Sequence, residues 1–319
     1  MFDFDKINLI PQKSIVKSRA LCDTHAVLGK HRFGLPVIPA NMECIVNQDI
    51  AIKLAMHGYM YVYHRFNSDT IEFAKIMKER NLLISISVGV SNDAYDTLTA
   101  LKDINIIPDY VTIDIAHGHA ESMERLLKWI YMTFSDEERP FLIAGNVSTP
   151  DAVRDLESWG ANAIKVGIGP GSACTTYSAT GFGSRCIQAS IIKECSMART
   201  SAYIIADGGI KEPGDIVKAL VLGADWIMVG GMFSGLTDSP GTIITDMEGR
   251  QYKDFWGSAS VHQSGKVSRI EGTKKLISLK NRTYLEEMTY ICECIQSAIS
   301  YGGGNSLNGL KLVKYCVRI

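Results

Sequence analysis

Cys174 stands near the end of a glycine-rich run, Lys165-Val166-Gly167-Ile168-Gly169-Pro170-Gly171-Ser172-Ala173-Cys174-Thr175-Thr176, in which an apolar strand passes into a tight loop. Glycines at 167, 169 and 171 let the backbone turn sharply and expose its N–H and C=O groups, and Pro170 stiffens the turn. A thiolate on such a loop can attack an electron-poor ring carbon. Thr176, two residues on, can hold or relay a proton for a leaving group at the same carbon. Glu271, in Ser268-Arg269-Ile270-Glu271-Gly272, is an acidic group beside a glycine that permits close approach. Alone, the glycine run would read as a strand-to-helix turn with an incidental cysteine; the other loops tip the balance toward chemistry.

Ala206-Asp207-Gly208-Gly209-Ile210 and Val229-Gly230-Gly231-Met232 follow two late apolar strands. Gly209, Gly230 and Gly231 can offer N–H groups to phosphate oxygens, with Ser172 as a further donor. Asp207, an acceptor when ionised, suits the vicinal hydroxyls of a sugar. A nucleoside monophosphate meets all of these demands, with its base lying over Cys174.

The elements that must position these groups repeat along the chain. Short apolar runs predict eight strands: residues 35–39, 59–63, 82–88, 110–113, 141–144, 161–166, 202–206 and 226–229. Helical patterns at 47–56, 70–80, 91–101, 120–134, 150–159 and 213–222 separate most of them, with Asn47, Ser68, Ser91 and Thr149 as N-cap types and Gly58, Gly160 and Gly223 as stops. Eight strands alternating with helices predict an α/β fold, a closed (β/α)₈ TIM barrel in one domain spanning 1–319, in preference to a doubly wound open sheet. A long polar stretch, 237–274, precedes a last helix at 284–301 and reads as a flap after the eighth strand that folds over a ligand.

Composition narrows the partners. Thirty-three basic residues against 34 acidic ones, with no basic patch, argue against nucleic acid. The first residues lack a basic and then apolar leader, and no run has bilayer length, so a cytoplasmic protein with a small-molecule partner is expected. The eight cysteines show no C-x-x-C pair and no zinc pattern, and disulfides are not expected.

Taken together, the loop at 167–176, Ala206 to Ile210, Gly230 to Ser234 and Ile270-Glu271-Gly272 resemble the GMP reductase branch of the family that also holds IMP dehydrogenase. Supporting segments are Pro36 to Met42, Asp114-Ile115-Ala116-His117-Gly118 and Ala144-Gly145-Asn146-Val147. The resemblance covers nearly the whole chain and implies a (β/α)₈ barrel that converts GMP to IMP and ammonia with NADPH. It implies that Cys174 attacks carbon 2 of guanine, that Thr176 and Glu271 help ammonia leave, and that the nicotinamide lies near Asp114 and Asn146. His64 and Arg65, at the end of the second strand, are cofactor candidates by location. A potassium ion on the carbonyls of Gly169, Gly171 and Cys174, and a homotetramer, are implied in the same way. Ser258, Ser268, Gly272 and Ser260 on the flap are expected to read the purine edge.

Two alternatives stand beside this reading. An IMP dehydrogenase would carry a regulatory insert between the second strand and its helix, whereas Tyr63-His64-Arg65-Phe66 leads straight to the helix near Thr70. It would also place an arginine–tyrosine pair on the flap, and no adjacent Arg-Tyr occurs between 237 and 275. A catalytically silent purine sensor would need none of Cys174, Thr176 and Glu271.

Overall fold

The computed structural model describes residues 1–264 and 270–318. A short strand β1 (Ile7–Leu9) and a hairpin of β2 (Ala26–Leu28) and β3 (His31–Phe33) precede β4 (Val37–Pro39) and α1 (Gln48–Met56). The alternating body follows: α2 (Thr70–Glu79), β5 (Ser85–Val88), α3 (Asn92–Asp103), β6 (Tyr110–Asp114), α4 (Glu121–Thr133), β7 (Phe141–Val147), α5 (Pro150–Ser158) and β8 (Ala163–Val166). After it come α6 (Thr176–Thr180), α7 (Gln188–Ala198), β9 (Tyr203–Asp207), α8 (Pro213–Val221) and β10 (Trp226–Val229). The last third holds β11 (Ile243–Thr245), β12 (Gln251–Trp256), α9 (Val261–Ser264), β13 (Lys274–Ser278), α10 (Tyr284–Tyr301), α11 (Leu307–Leu310) and β14 (Tyr315–Val317).

Seven of these strands form one parallel sheet in the order β4-β10-β9-β8-β7-β6-β5. It is curled, with one apolar cluster on each face. The outer cluster joins Val111, Leu142, Ile164, Ile204 and Ile227 to the helices. The inner one collects Ile38, Tyr110, Ile143, Ala163, Ile205, Trp226 and Met228. Alternate residues of each strand feed alternate faces, as the period of two requires. Along the inner face the layers run from rings (Tyr110, Phe141, Tyr203, Trp226) through aliphatic residues to a polar row (Asp114, Gly145, Lys165, Asp207) at the C-terminal ends of the strands.

The expected second strand, 59–63, is not a regular strand. It makes one parallel bridge, Tyr63 to Ile86. Beyond that bridge side chains replace the ladder: the Tyr61 hydroxyl donates to Leu83 C=O at 2.5 Å, and Asp109 Oδ2 accepts from Ile84 N–H at 2.7 Å. Met60 and Val62 nevertheless enter the inner cluster beside Ile38 of the opposite edge strand.

Helix ends follow local chemistry. Asn47 and Thr149 cap α1 and α5 with their side chains. For α2 the cap is Asp69 rather than Ser68, because the carboxylate accepts Glu72 N–H at 2.9 Å while Ser68 Oγ donates to His64 C=O. Ser91 occupies the cap of α3 but donates to Asp93. The 237–274 stretch, expected as a polar flap, contains a three-stranded antiparallel sheet, β11-β12-β13, whose last strand runs on to Ser278. Phe255 and Trp256 anchor it, and Lys253, 3% exposed, donates to the carbonyls of Thr237 at 3.0 Å and Ser239 at 2.6 Å.

Candidate active site

The cysteine loop and the antiparallel insert are joined through their backbones. Cys174 bridges Gly272, and Ser260 bridges the same glycine from the other side. Thr175 N–H donates to Glu271 C=O at 2.9 Å, and Thr273 N–H to Ala173 C=O at 2.9 Å. A Cβ at Gly272 would stand 2.9 Å from Ser260 N, so only glycine fits the sandwich. This docking brings three side chains from distant parts of the chain together. Cys174 Sγ lies 3.2 Å from Thr176 Oγ1, and Thr176 Oγ1 donates to Glu271 Oε2 at 2.5 Å. A nucleophile, a hydroxyl and a carboxylate therefore stand in one chain of hydrogen bonds, the arrangement that moves a proton to or from a reacting atom.

The glycine pairs after β9 and β10 lie at the same end of two paired strands. Gly208 and Gly209 have φ of +86° and +79°, and a Cβ at Gly208 would meet Pro170 Cγ at 2.9 Å, so this loop packs on the turn before Cys174. Gly230 and Gly231 follow β10, and Lys280 donates to the carbonyls of Gly231 at 3.4 Å and Met232 at 2.5 Å. Ser172 is exposed, and its carbonyl accepts from Lys275.

Asp114 and Asp207 meet at Lys165, a residue given no role from the sequence. Lys165 is 2% exposed; its ammonium donates to Asp114 Oδ1 and, at 3.2 Å, to Asp207 Oδ2. Asn41 Nδ2 donates to Asp114 Oδ2 at 3.0 Å, and Asn146 Nδ2 to Asp207 Oδ2 at 2.8 Å and Gly167 C=O at 2.7 Å. Burial alone would raise the Asp114 carboxyl, but Lys165 and Asn41 outweigh it and hold it below its ordinary 3.8. Burial opposes the charge on Lys165 too, and the two carboxylates reverse that and lift it above 10.5. The sequence signal was a lysine at an inward position of an otherwise apolar strand.

His64 and Arg65 part company. His64 is 4% exposed and its Nδ1 accepts Phe66 N–H at 3.2 Å; burial pushes it below its ordinary 6.5 against the pull of Glu43. Arg65 is exposed and lines a cleft of about 470 Å³ with Ser68, Ser87, Gly89 and Asp93 at the C-terminal end of β5.

The model of the IMP dehydrogenase / GMP reductase domain matches residues 1–314. The chain belongs to the IMP dehydrogenase / GMP reductase family. Among its relatives, a GMP reductase of Mesoplasma florum is 46% identical over 319 residues, covering 99% of this chain and 97% of the relative. Those of Clostridium acetobutylicum and Bacillus subtilis are each 45% identical, covering 99% of this chain and 95% and 96% of theirs. For a member of this family, the flap residues expected to read a purine fall in different places. Ser258 lies in the turn after β12, half-buried. Ser260 is 1% exposed, and its Oγ accepts Gln263 N–H at 3.2 Å. Ser268 lies outside the described residues. Among the described residues no group of His, Cys, Asp and Glu could hold a metal ion, and no helix is long and apolar enough to cross a membrane.

Proposed function

We propose that this chain is a GMP reductase, converting GMP to IMP and ammonia with NADPH. The observation that carries the reading is the Cys174–Thr176–Glu271 chain of hydrogen bonds, because a threonine and a glutamate occupy the proton-handling place beside the thiol. The close succession of Tyr63 and α2 supports it over a dehydrogenase with a regulatory insert.

In this reading the nucleotide phosphate sits on the N–H groups of Gly209, Gly230 and Gly231 with Ser172, and Asp207 accepts from the ribose hydroxyls. The thiol of Cys174 gives its proton toward Thr176 and Glu271 and bonds to carbon 2 of guanine. Glu271 returns a proton through Thr176 to the exocyclic amine, the C–N bond breaks, and ammonia leaves a thioimidate on Cys174. NADPH, when bound, supplies the hydride that replaces sulfur at carbon 2. The C–S bond then breaks, and Cys174 leaves as a thiolate that takes up a proton. Residues present fit the cofactor: Asn146 Oδ1 is a buried acceptor with no partner among the described residues, and the cleft at the end of β5 carries the Arg65 cation. Asp114, Asn146 and Arg65 would hold it, while buried His64 would support the loop.

Cys174 N–H donates to Gly171 C=O at 3.1 Å, which leaves that carbonyl a second lone pair. A potassium ion would take this oxygen with the carbonyls of Gly169 and Cys174. We read the curled sheet as a closed eight-strand barrel in a single domain, with 59–63 in the eighth place and the antiparallel insert as a flap. A homotetramer, which rests on the family resemblance, and a cytoplasmic location belong to the same reading.

The test is turnover measured side by side. GMP with NADPH should consume the reduced nicotinamide and release ammonia in equal amounts, while IMP with NAD should give no turnover at a comparable rate. Reaction of the second pair alone would make the chain a dehydrogenase; nucleotide binding without either reaction would make it a sensor.

A further inference from the structure

Three neighbouring strands present Asp114, Gly145 and Lys165 side by side, since Asp114 pairs with Gly145 and Gly145 with Lys165. A Cβ at Gly145 would stand 2.6 Å from Lys165 Cβ and 2.8 Å from its carbonyl oxygen. The bare position in the middle strand is what lets the Lys165 ammonium cross to Asp114. On its other side lies β9, where the same ammonium reaches Asp207.

We propose that Lys165 is a positioning residue for the reaction, one buried cation that sets the ribose-binding carboxylate of Asp207 and the cofactor-side carboxylate of Asp114 relative to each other. The proposal rests on the GMP reductase reading. Of the four carboxylate oxygens on Asp114 and Asp207, three have protein donors: Asp114 Oδ1 from Lys165, Asp114 Oδ2 from Asn41, and Asp207 Oδ2 from Lys165 and Asn146. Asp207 Oδ1 has no donor among the described residues, and the side chain keeps 20% of its surface exposed. Lys165 thus turns one oxygen of Asp207 outward, toward the hydroxyls it accepts from, while fixing Asp114 completely. A carboxylate left buried without its cation either protonates or swings away.

The ionisable groups facing this row are Asp114 on β6, Lys165 on β8, Asp207 on β9 and, acting on Asp114 from the segment after Tyr63, Arg65. The polar groups of Asn41 and Asn146 and the thioether of Met228, 4.0 Å from Lys165 Nζ, complete the surroundings. With Lys165 in place the Asp114 carboxylate stays ionised across the neutral range. Without it Asp114 faces a like charge and loses its nearest cation, so its protonation moves upward in pH.

The experiment uses the full-length enzyme with Lys165→Met and with the charge-reduced pair Lys165→Met/Asp114→Asn, which keeps a folded readout if the single variant fails to fold. GMP affinity by calorimetry, the GMP KM, kcat and the pH profile of kcat/KM are measured for each. The loss of one charged hydrogen bond at Asp207 should weaken GMP binding by about ten- to a hundredfold in both variants. Only Lys165→Met should show a new acid limb in the profile, and Asp114→Asn should remove it. A merely structural lysine would lower thermal stability and leave the GMP affinity and the pH profile of the folded fraction unchanged, and that result overturns the proposal. Calorimetry needs no turnover, so an unchanged affinity in an active enzyme refutes the positioning role alone. A wild type that binds GMP without reducing it refutes the reductase reading instead.

Discussion

Replacing Glu271 by Gln removes a charge and changes almost no volume, so it separates proton handling from packing. Glu271 Oε2 accepts from Thr176 Oγ1 at 2.5 Å, a distance typical of a hydroxyl on a carboxylate. A hydrogen bond to a charged group contributes about 1.5–3 kcal/mol and a neutral one about 0.5–1.5, so the exchange costs about 1–2 kcal/mol. With about 2.1 cal/mol/K of unfolding entropy per residue, a chain of 319 residues loses about 1.5 °C in Tm for each kcal/mol, a fall of about 1–3 °C. The backbone bond from Thr175 N–H to Glu271 C=O is untouched, so the insert stays docked on the cysteine loop. Activity should respond far more. Losing a positioned acid–base group lowers kcat by about 10²–10⁴-fold, equal to about 3–5 kcal/mol of barrier. The GMP KM should change little, because the nucleotide is held by the glycine loops and Asp207. Steady-state oxidation of NADPH with GMP, alongside a melting curve, reads both quantities. A variant that keeps kcat within about threefold of wild type refutes the relay, since about 0.6 kcal/mol is too little for a lost acid–base group.

Further outcomes follow from the packing. Gly145→Ala drives a methyl into Lys165, and overpacking of this kind costs about 1–3 kcal/mol, so Tm should fall by about 2–5 °C and the GMP KM should rise; an unchanged KM would mean the row tolerates displacement. His64, held below 6.5 by burial, binds its proton more weakly folded than unfolded, so its contribution is intact above pH 6.5 and stability falls as the pH drops below that value. His64→Asn should flatten the loss of Tm between about pH 6.5 and 5; a curve of unchanged slope would place the effect elsewhere. Lys253→Met removes the ammonium that ties β12 to the Thr237 and Ser239 carbonyls, which should loosen the insert and lower kcat/KM more than Tm, checked by hydrogen exchange across 251–256.

What was legible in the sequence follows from how local each signal is. Cys174, Thr176 and the glycine loops are contiguous words, and their chemistry can be stated before any fold is known. That Glu271, 95 positions from Thr176, would touch it rested on the family resemblance and is visible as geometry only through the Gly272 bridges. The alternation of strands and helices was readable because apolar runs and caps recur. The 59–63 segment has the composition of a strand, but it keeps only one bridge because side chains take its neighbours' backbone groups, which composition does not show. The sheet at β11–β13 was hidden because Gln251 to Trp256 sets Lys253 on the buried side, a residue type that reads as solvent-facing until its three oxygen partners appear. Lys165 was missed for the same reason: its counter-ions lie on strands separated from it in sequence, and only the register shows them.

The central claim is that Cys174 carries the purine during turnover. Wild-type enzyme and Cys174→Ala are mixed with GMP and NADPH, ammonia and NADPH consumption are followed, and samples quenched during turnover are analysed by mass for a purine on the peptide holding residue 174. The account predicts equal ammonia release and NADPH oxidation in the wild type with the purine attached to Cys174, and turnover in the variant lowered by at least about 10³-fold. Turnover by Cys174→Ala within about tenfold of wild type would contradict it.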